Sequence, residues 1–432
     1  MQGKTITTSP APQATEIRSA PAWYEGGLAL VASNAWVSAA LIFVVTRLVA
    51  LAGAYSGVSY ITSVEPARNK GWLAELAMMW DAAWYVQLAA NGYHYDAGAT
   101  GGTNVAFAPL YPFGIKAVSS GLRWVTFGWD WGNQQWGAYI AAGLLLSNVA
   151  FYFALVMLIR LLAPRLGFAG AGLAALGLAS LPTAFFFSAV YTEGLFLLLV
   201  LGCFALARTD WRWKWLCVGM VGMLASLDRF AGLLLLPAMA VEYMSQRGWR
   251  WRGIKVDAGW LGLIPAGTGV YLAFLWWRFG SPLVLNDSML KGWNHQGSFF
   301  LVTYWESVSQ LWMSLTHSFA GGSDPVLYYG QGSRLYLILD LGLPVLLLVG
   351  AWIARKKLMG SEWVWLVLGI VYPLSTNITF SLARYVLPLW PGIVWLGMVK
   401  GKARGIVVGL ILISLGLMAW CSSIYGSARW IG

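Results

Sequence analysis

The sequence predicts an all-α polytopic membrane protein, and its composition, hydropathy pattern and Trp distribution all favour this fold class. Of the 432 residues, 59% are hydrophobic and 10% are charged, whereas a soluble domain carries about 25% charged residues. Many apolar stretches approach or reach the roughly 20 residues that a helix needs to cross a bilayer, and a helix satisfies its own backbone polar groups within hydrocarbon. The 27 Trp residues cluster beside predicted helix ends, as is typical of side chains that anchor helices at the headgroup level.

Apolar stretches place about eleven membrane-spanning helices along the chain. They lie near residues 35–57, 136–162, 168–188, 189–207, 215–228, 230–245, 259–277, 335–354, 361–376, 384–399 and 405–425. The first 22 residues are polar and rich in Pro, Ala and Thr. We therefore expect a disordered cytoplasmic tail over residues 1–34 and a single transmembrane domain over residues 35–432.

Basic residues decide the predicted orientation. They are concentrated in short loops on one side of the predicted bundle, around residues 160–165, 208–214, 247–255, 355–357 and 400–404. The positive-inside rule makes this side cytoplasmic. Two long connections, residues 58–135 and 278–334, then face away from the cytoplasm, and long connections often carry function. We expect the functional site on this outer side.

Several other classes of site are disfavoured. The net charge of +11 does not predict nucleic-acid binding, because the basic residues occur in short clusters between apolar stretches rather than along one face. The three Cys residues lie in apolar segments without metal-ligand spacing, and the three His residues come from different segments. Neither a metal nor another cofactor is expected.

The first outer connection contains a candidate general base. The helical period of Trp80 to Ala89 places Asp81, Trp84 and Tyr85 on one side of a short helix at the membrane surface. A carboxylate between aromatic side chains has an altered proton affinity and can take a proton from a hydroxyl group. Trp80, Trp84 and Tyr85 offer ring faces for stacking on a sugar. An ordinary helix-surface Asp is the alternative interpretation.

A rigid turn follows in the same connection. The stretch from Asn104 to Pro112, which includes Tyr111, combines two Pro residues with aromatic side chains, so it cannot be a regular helix throughout. It is a candidate wall of a lipid or sugar site. The alternative is a loop that ends where a helix begins.

Four charged residues fall at membrane depth or close to it, where an unpaired charge is costly. Glu193 lies in one short outer turn, Asp228 and Arg229 in a second, and Arg384 begins a predicted span. Asp228 and Arg229 form either a structural ion pair or part of a site. Arg384 is the better candidate for binding a lipid phosphate, because a guanidinium binds phosphate oxygens bidentately and no acidic residue is adjacent to it in sequence.

The second outer connection offers two further polar residues. Lys291 and His295 lie in a mixed polar and aromatic stretch, KGWNHQ, and both are able to reach an anionic substrate. As ligands of a phosphate we rank Arg384 first, Arg229 second and Lys291 third, since Lys291 lies in a loop.

Five stretches carry a resemblance to a known family. They are WDAAWYVQLAANGY (80–93), FAPLYP (107–112), YTEGLFLLL (191–199), LDRFAGLLLLP (227–237) and LARYVLPLWP (382–391). In this order they resemble the PIG-V family of mannosyltransferases, within the GT-C superfamily, whose eukaryotic member acts in GPI-anchor synthesis. Asp81 matches the acidic residue of the first outer loop of that family.

The resemblance implies a GT-C-like bundle with interfacial helices in its long first outer loop. It also implies a polyprenyl- or dolichyl-phosphate-mannose donor, a glycan or glycolipid acceptor, and an inverting transfer on the periplasmic side of a bacterial plasma membrane, or in the ER lumen of a eukaryote. Asp81 is then the base, Arg384 with Arg229 and Lys291 binds the donor phosphate, and no metal is required. Trp80, Trp84, Tyr85, Tyr111, Glu193, Asp228 and His295 are the expected substrate-binding residues.

Two other functions are compatible with parts of the sequence. Paired charges within spans also mark transport pathways, so a transporter or flippase of lipid-linked sugars is one alternative. A non-catalytic scaffold subunit of a membrane complex is the other, and it accounts for the abundant Trp but not for the outer carboxylates and arginines.

Overall fold

The computed structural model describes residues 34–65, 79–125, 136–316, 334–377 and 379–429. The predicted N-terminal tail lies outside these residues, except for Asn34. The Asn34 side chain accepts hydrogen bonds from the Trp36 and Val37 N–H groups and so caps the first helix.

The described residues form α-helices, several short 3-10 helices and no strand. The α-helices are α1 (Ala35–Val64), α2 (Asp81–Asn91), α3 (Leu110–Val125), α4 (Gly137–Ala179), α5 (Glu193–Ala207), α6 (Lys214–Asp228), α7 (Leu235–Ser245), α8 (Leu263–Phe279), α9 (Val284–Trp293), α10 (Phe300–Thr316), α11 (Arg334–Ile353), α12 (Gly360–Leu374), α13 (Leu382–Tyr385) and α14 (Ala403–Gly426). The 3-10 helices are Asn104–Ala106, Ala184–Phe187, Phe230–Leu234, Trp251–Gly253, Val256–Gly262 and Trp390–Met398.

Five of the helical segments are long and apolar enough to cross a membrane. They are Ala35–Val64, Gly137–Ala179, Val256–Phe279, Arg334–Ile353 and Ala403–Gly426, and three shorter apolar helical segments accompany them at Glu193–Ala207, Phe230–Ser245 and Gly360–Leu374. The chain is therefore an integral membrane protein, and the predicted all-α fold class is confirmed. The count of about eleven spans stays a prediction.

Gly167 (φ 72°, ψ 162°) kinks α4 between the predicted spans 136–162 and 168–188, and the second of these ends earlier than expected, at Ala179. Turns and a short 3-10 helix follow, and their carbonyl groups are used by Arg47 of α1. Its guanidinium donates to the carbonyl oxygens of Ala179 (3.0 Å) and Ala184 (2.8 Å) and to the Ser188 hydroxyl (3.1 Å). A charged residue within a span thus satisfies the carbonyl groups that the end of α4 leaves unpaired.

The predicted span over residues 384–399 is not a regular α-helix. It consists of the four-residue helix α13, a turn, and the 3-10 helix Trp390–Met398. Pro388 and Pro391 explain the interruption, because proline lacks the N–H group of a regular helix and its ring clashes with the preceding turn. The interruption leaves Arg384 near the start of this segment, on a short and well-buried piece of backbone.

Helix polarity brings the charged residues to one end of the bundle. α5 and α6 are packed neighbours that are joined by a short turn, so the first residue of α5, Glu193, and the last residue of α6, Asp228, lie at the same end. Arg384 of α13 and Asp81 of α2 contact the same end. The opposite ends of α5 and α6 carry Arg208 and Lys214.

Candidate active site

A cavity of about 350 Å³ opens at this end of the bundle, within the size range of small-molecule sites. Seven of the residues that the sequence nominates line it. They are Asp81, Tyr85, Glu193, Asp228, Arg229, His295 and Arg384. Five of the seven are carboxylate or guanidinium groups, so the cavity combines bases and hydrogen-bond acceptors with fixed cations.

Asp81 and Arg384 form an ion pair across the cavity. The distance from Arg384 Nη1 to Asp81 Oδ2 is 2.7 Å, and the two side chains are 6% and 16% exposed, respectively. Arg384 has no acidic neighbour in sequence, but the inference that it is therefore free for a ligand is wrong, because the fold brings it into contact with a partner 303 residues away. Sequence adjacency is a poor guide to pairing in a bundle of helices.

Glu193 links the two arginines. Its Oε1 atom lies 2.6 Å from Arg229 Nη1 and 3.5 Å from Arg384 Nε. The possible ion pair between Asp228 and Arg229 does not form, since the Arg229 guanidinium bonds to Glu193 and to the Thr192 hydroxyl (3.3 Å). The aromatic ring of Tyr385 lies 4.9 Å from that guanidinium, which adds a cation–π contact.

Two carboxylates are left with unsatisfied oxygens. Both oxygens of Asp228 and the Oε2 atom of Glu193 are buried and have no hydrogen-bond partner among the described residues. Asp228 is 2% exposed and Glu193 is 1% exposed. A buried carboxylate without a partner costs several kcal/mol. These oxygens line a cavity, so they are placed to accept hydrogen bonds from a bound molecule.

Unusual backbone conformations flank the ion pair. Trp80, directly before Asp81, has φ 54°, and Ser381, three residues before Arg384, has φ 69°. Positive φ is uncommon for residues other than Gly, and such strain persists where the surrounding structure imposes it, often at functional sites. Both members of the pair are thus held next to strained backbone.

The aromatic residues of α2 divide into a cavity side and a packing side. Tyr85 lines the cavity, and burial, together with the Glu193 and Asp81 charges, raises the pKa of its phenol well above the usual range. It is therefore a hydrogen-bond donor at neutral pH. Trp84 packs on Phe107 (5.8 Å between ring centroids) and on Trp293 (6.1 Å), so it supports the wall.

Trp80 and Tyr111 lie outside the cavity lining. Trp80 is 39% exposed. Tyr111 is fully buried, and its hydroxyl is 2.6 Å from Ser147 Oγ. The predicted rigid turn nevertheless forms part of the cavity wall, through Ala106, Phe107 and Ala108.

His295 and Lys291, the two candidates of the second outer connection, differ in their position relative to the cavity. His295 lines the cavity, and burial lowers the pKa of its imidazole while the Asp81 charge opposes this change. Lys291 is not among the lining residues. It pairs with Asp287 at 2.9 Å, one helical turn away, and donates to the Ala97 carbonyl at 3.0 Å. The structure therefore places Lys291 beside the site rather than in it.

Sequence reasoning did not identify some residues of the site. Asn286, Trp293, Gln296, Tyr372 and Tyr385 also line the cavity. No sequence signal distinguishes these side chains from ordinary polar and aromatic residues.

Asp340 was also missed, although a signal existed. It is an acidic residue inside an apolar span, which marks a residue worth inspection. Its Oδ1 atom accepts a hydrogen bond from the Ala383 N–H at 2.6 Å, so it fixes the backbone directly before Arg384. Among the described residues, no group of three or more His, Cys, Asp and Glu side chains has the geometry of a metal site.

Solved structures with a similar arrangement match at low identity. The oligosaccharyltransferase of Archaeoglobus fulgidus in the apo form gives a TM-score of 0.47 and 12% identity, over 91% of this chain and 56% of that chain. ArnT from Cupriavidus metallidurans, bound to undecaprenyl phosphate, gives 0.49 and 12%, over 86% of this chain and 76% of that chain. The chain thus spans about half the length of the archaeal structure.

The sequence comparisons give a family but no individual relative. No curated protein sequence matches the chain. Residues 39–233 match the family model of mannosyltransferase (PIG-V). This range contains Asp81, Glu193, Asp228 and Arg229 of the cavity, whereas Arg384 lies beyond it. The resemblance indicated by the motifs is therefore confirmed over residues 39–233, where the chain is similar to the mannosyltransferase (PIG-V) family.

Proposed function

We propose that the chain is a membrane glycosyltransferase that transfers a sugar, mannose, from a polyprenyl-phosphate-linked donor to a glycan or glycolipid acceptor, with inversion at the anomeric carbon. The observation that carries the proposal is the Asp81–Arg384 pair, at 2.7 Å. It sets a candidate base next to a candidate phosphate ligand in a single cavity. The family match to residues 39–233 supports the mannosyltransferase class.

The chemical step needs a base and a fixed positive charge. The Asp81 carboxylate removes the proton from an acceptor hydroxyl, and the hydroxyl oxygen forms a bond to the anomeric carbon. The bond from that carbon to the phosphate oxygen breaks, and the electron pair leaves with the lipid phosphate. Arg384 offsets the charge that develops on this leaving group. Attack on the face opposite the phosphate inverts the configuration.

The ion pair couples donor binding to activation of the base. Arg384 donates a hydrogen bond to one oxygen of the Asp81 carboxylate. A donor phosphate competes for the same guanidinium, because arginine binds phosphate oxygens bidentately. Binding of the donor then releases the carboxylate to accept the proton. If the acceptor binds before the donor, the Asp81 carboxylate is still paired with Arg384 and is less able to take the proton.

Asp228 and Glu193 supply sugar recognition in this scheme. Their unpartnered oxygens accept hydrogen bonds, and a sugar presents several hydroxyl donors. A hydrogen bond to a charged acceptor contributes about 1.5–3 kcal/mol. A mannose-sized ligand therefore satisfies the three carboxylate oxygens, two of Asp228 and one of Glu193, that the fold leaves without partners.

The decisive experiment measures sugar transfer by the purified full-length protein. Labelled polyprenyl-phosphate-mannose is supplied with a membrane extract as the source of acceptor, and the extract is tested alone as the blank. We expect label to move from the lipid phosphate to a new product with the parent protein and not with Asp81→Asn. Asp287→Asn is the matched control, because Asp287 is an outer-side carboxylate that pairs with Lys291 and does not line the cavity.

Three outcomes contradict the proposal. If Asp81→Asn transfers the sugar as fast as the parent protein, Asp81 is not the base. Movement of the intact labelled lipid across a reconstituted bilayer, without any transfer, supports the transporter alternative instead. A protein that does neither, although it is folded and embedded, fits the scaffold alternative.

We also propose that the cavity faces away from the cytoplasm, in keeping with the positive-inside rule. Both Thr100 and Lys356 are exposed, so each suits a single introduced Cys in a background without the three native Cys residues. In intact cells, an impermeant thiol reagent is expected to label Cys at position 100 and not at position 356. The reverse pattern inverts the orientation.

A further inference from the structure

A second cavity lies at the opposite end of the bundle. Its volume is about 850 Å³, and it is bounded by the start of α6, the end of α7 and the segment that leads into α8. Lys214 at the start of α6 lines it, whereas Asp228 at the end of α6 lines the candidate active site. A helix of this length spans about 22 Å. The second cavity is therefore separate from the first and lies toward the other membrane surface.

Six basic side chains surround this second cavity, against two acidic ones. The basic residues are Arg212, Lys214, Arg247, Arg250, Arg252 and Lys255, and the acidic ones are Asp210 and Asp257. The positive-inside rule accounts for basic residues on this side of the membrane. It does not account for their convergence on one concave surface, because topology requires only that the charges lie in the loops.

One of these charges forms an ion pair within the described part of the protein. Arg247 pairs with Asp257 at 3.1 Å, whereas Lys214 donates a hydrogen bond to the uncharged side chain of Gln246 at 2.9 Å. Within the described part of the chain, no ion pair involves Arg212, Arg250, Arg252 or Lys255. Like charges around one cavity repel one another, and an anion in the cavity relieves that repulsion.

Exposed aromatic side chains indicate where the cavity lies relative to the bilayer. Trp211 is 53% exposed and lines the cavity, and Trp213, Trp249 and Trp251 beside it are 44%, 60% and 79% exposed. Exposed Trp residues of a membrane protein favour the headgroup level. Exposed Val256 (96%) follows directly after Lys255. The cavity is thus at headgroup depth, where a soluble anion is less concentrated than a lipid headgroup.

We propose that this basic cavity binds the phosphate of an anionic phospholipid headgroup on the membrane surface opposite the candidate active site. Guanidinium groups of Arg250 and Arg252 suit the phosphate oxygens, which accept two parallel N–H bonds. Basic pockets between membrane helices bind anionic headgroups in this way. The Trp residues hold the adjoining segment at the lipid surface. The proposal is independent of sugar transfer.

The test compares lipid retention by the full-length protein and two triple variants. Delipidated protein in detergent is mixed with equal amounts of phosphatidylglycerol and phosphatidylcholine, and bound lipid is quantified by native mass spectrometry. The parent is expected to prefer phosphatidylglycerol. Arg250→Gln/Arg252→Gln/Lys255→Gln is expected to lose that preference by about tenfold or more, since each basic residue near a lipid surface contributes about fivefold.

The matched control carries the same loss of charge at another loop. Arg355→Gln/Lys356→Gln/Lys357→Gln removes three basic residues that are exposed and do not line the second cavity, so its preference is expected to equal that of the parent. A third arm adds inorganic phosphate at the lipid concentration, and it is expected to displace no phosphatidylglycerol.

Three results would overturn the proposal. They are equal retention by the cavity variant and the parent, equal loss in both triple variants, and displacement of the lipid by inorganic phosphate, which would assign the cavity to a soluble anion. The unfolding temperature in phosphatidylcholine serves as the check on folding. If the triple variant unfolds earlier than the parent, the single variants Arg250→Gln and Arg252→Gln replace it, each with an expected loss of about fivefold.

Discussion

Two clusters of buried charge lie at opposite ends of α5, and they differ in how completely their carboxylates are paired. The inner cluster, named for the predicted orientation, consists of Arg165, Arg208, Glu242 and Glu362. Glu362 accepts hydrogen bonds from Arg208 (2.8 Å), Arg165 (2.9 Å) and the Met359 N–H (3.0 Å). Each of its two carboxylate oxygens therefore has a partner, although the residue is fully buried.

Glu242 is equally well satisfied. It accepts hydrogen bonds from Arg208 through both oxygens (3.2 Å each), from Gln246 (3.3 Å) and from the Ser361 hydroxyl. The outer cluster, which consists of Asp81, Glu193, Asp228, Arg229 and Arg384, is as deeply buried but leaves both oxygens of Asp228 and one of Glu193 unsatisfied. The two clusters are buried to a similar degree, but the carboxylates of the inner cluster are fully hydrogen-bonded and those of the outer cluster are not. The inner cluster therefore has the pairing of a structural network, and the outer cluster has the free acceptors of a binding site.

The largest expected effect is on catalysis at the outer cluster. Asp81→Asn keeps the size of the side chain but removes the base, so the transfer rate is expected to fall by about 10²–10⁴-fold. The variant is expected to unfold at a temperature close to that of the parent, because an amide oxygen can still accept the bond from Arg384. Initial rates of mannose transfer and a thermal unfolding curve measure the two quantities. Turnover near the parent's would exclude Asp81 as the base.

At the inner cluster the expected effect is on stability. Glu362→Ala leaves Arg165 without its carboxylate partner and Arg208 with Glu242 as its remaining one, and breaking a buried pair in this way costs about 3–5 kcal/mol in the free energy of unfolding. Denaturant titration of the detergent-solubilised protein measures the loss. The transfer rate per folded molecule is expected to stay close to the parent's. A large drop in that rate with unchanged stability would show that the two clusters are not distinct in role.

The third prediction concerns the donor phosphate. Arg384→Gln removes both the charge and the planar fork, and truncating one partner of a buried charge pair costs about 2–5 kcal/mol. Arg384→Lys keeps the charge, so it is expected to raise the KM for the lipid donor less than Gln does. Lys291→Gln, which lies beside the cavity, is the matched control and is expected to leave that KM unchanged. A KM raised by Lys291→Gln but not by Arg384→Gln would move the phosphate site out of the membrane-embedded cluster.

Sequence patterns predicted which charged residues matter but not how they pair. Asp81, Glu193, Asp228, Arg229 and Arg384 were all visible as charges near the ends of apolar segments, where an ionised side chain requires a reason. Hydropathy also located most helices within a few residues. These features are local, so a window of sequence is enough to find them.

Pairing depends on contacts between distant segments, and no local pattern contains it. Arg229 bonds to Glu193 rather than to its neighbour Asp228, because the Arg229 side chain leaves an extended residue at the end of α6 and points toward the start of α5. Pro388 and Pro391 indicate that the segment at residues 384–399 is not a regular helix, but its apolar composition led to the prediction of a continuous span. The role of Asp340 in holding the backbone before Arg384 required the packing of α11 against α13.

The fourth prediction tests the unpaired carboxylate directly. Asp228→Asn is expected to weaken sugar handling by about 1.5–3 kcal/mol, the contribution of a hydrogen bond to a charged group, which appears as a lower kcat/KM. The free energy of unfolding is expected to be unchanged or higher, because the variant no longer buries a carboxyl group whose oxygens lack partners. Glu242→Gln supplies the contrast, since it disturbs a carboxylate that is already satisfied and is expected to lower stability. A destabilised Asp228→Asn would assign Asp228 to structure.

The smallest expected effect is a pH dependence at the rim of the cavity, where His295 lies. Burial lowers the pKa of its imidazole below the usual value of 6.5, and the Asp81 charge acts in the opposite direction. With the folded-state pKa below the unfolded-state pKa, the unfolded chain binds a proton more readily than the folded chain between these two values. The free energy of unfolding therefore falls as the pH drops below about 6.5 and is unaffected by this group above that pH.

His295→Gln removes the titrating group, so the unfolding temperature of the variant relative to the parent is expected to be constant between about pH 7 and 8 and to rise as the pH falls toward 5. Asp81→Asn acts in the other direction: without the carboxylate that favours the imidazolium, the pKa of His295 drops further and the acid loss becomes larger than in the parent. The loss of stability at acid pH is thus expected to be smaller than the parent's in His295→Gln and larger in Asp81→Asn. A general effect of acid on the membrane domain would not change in opposite directions in the two variants. If His295→Gln left the acid limb unchanged, the imidazole would not be titrating beside Asp81, and its place in the lining of the cavity would have no electrostatic consequence.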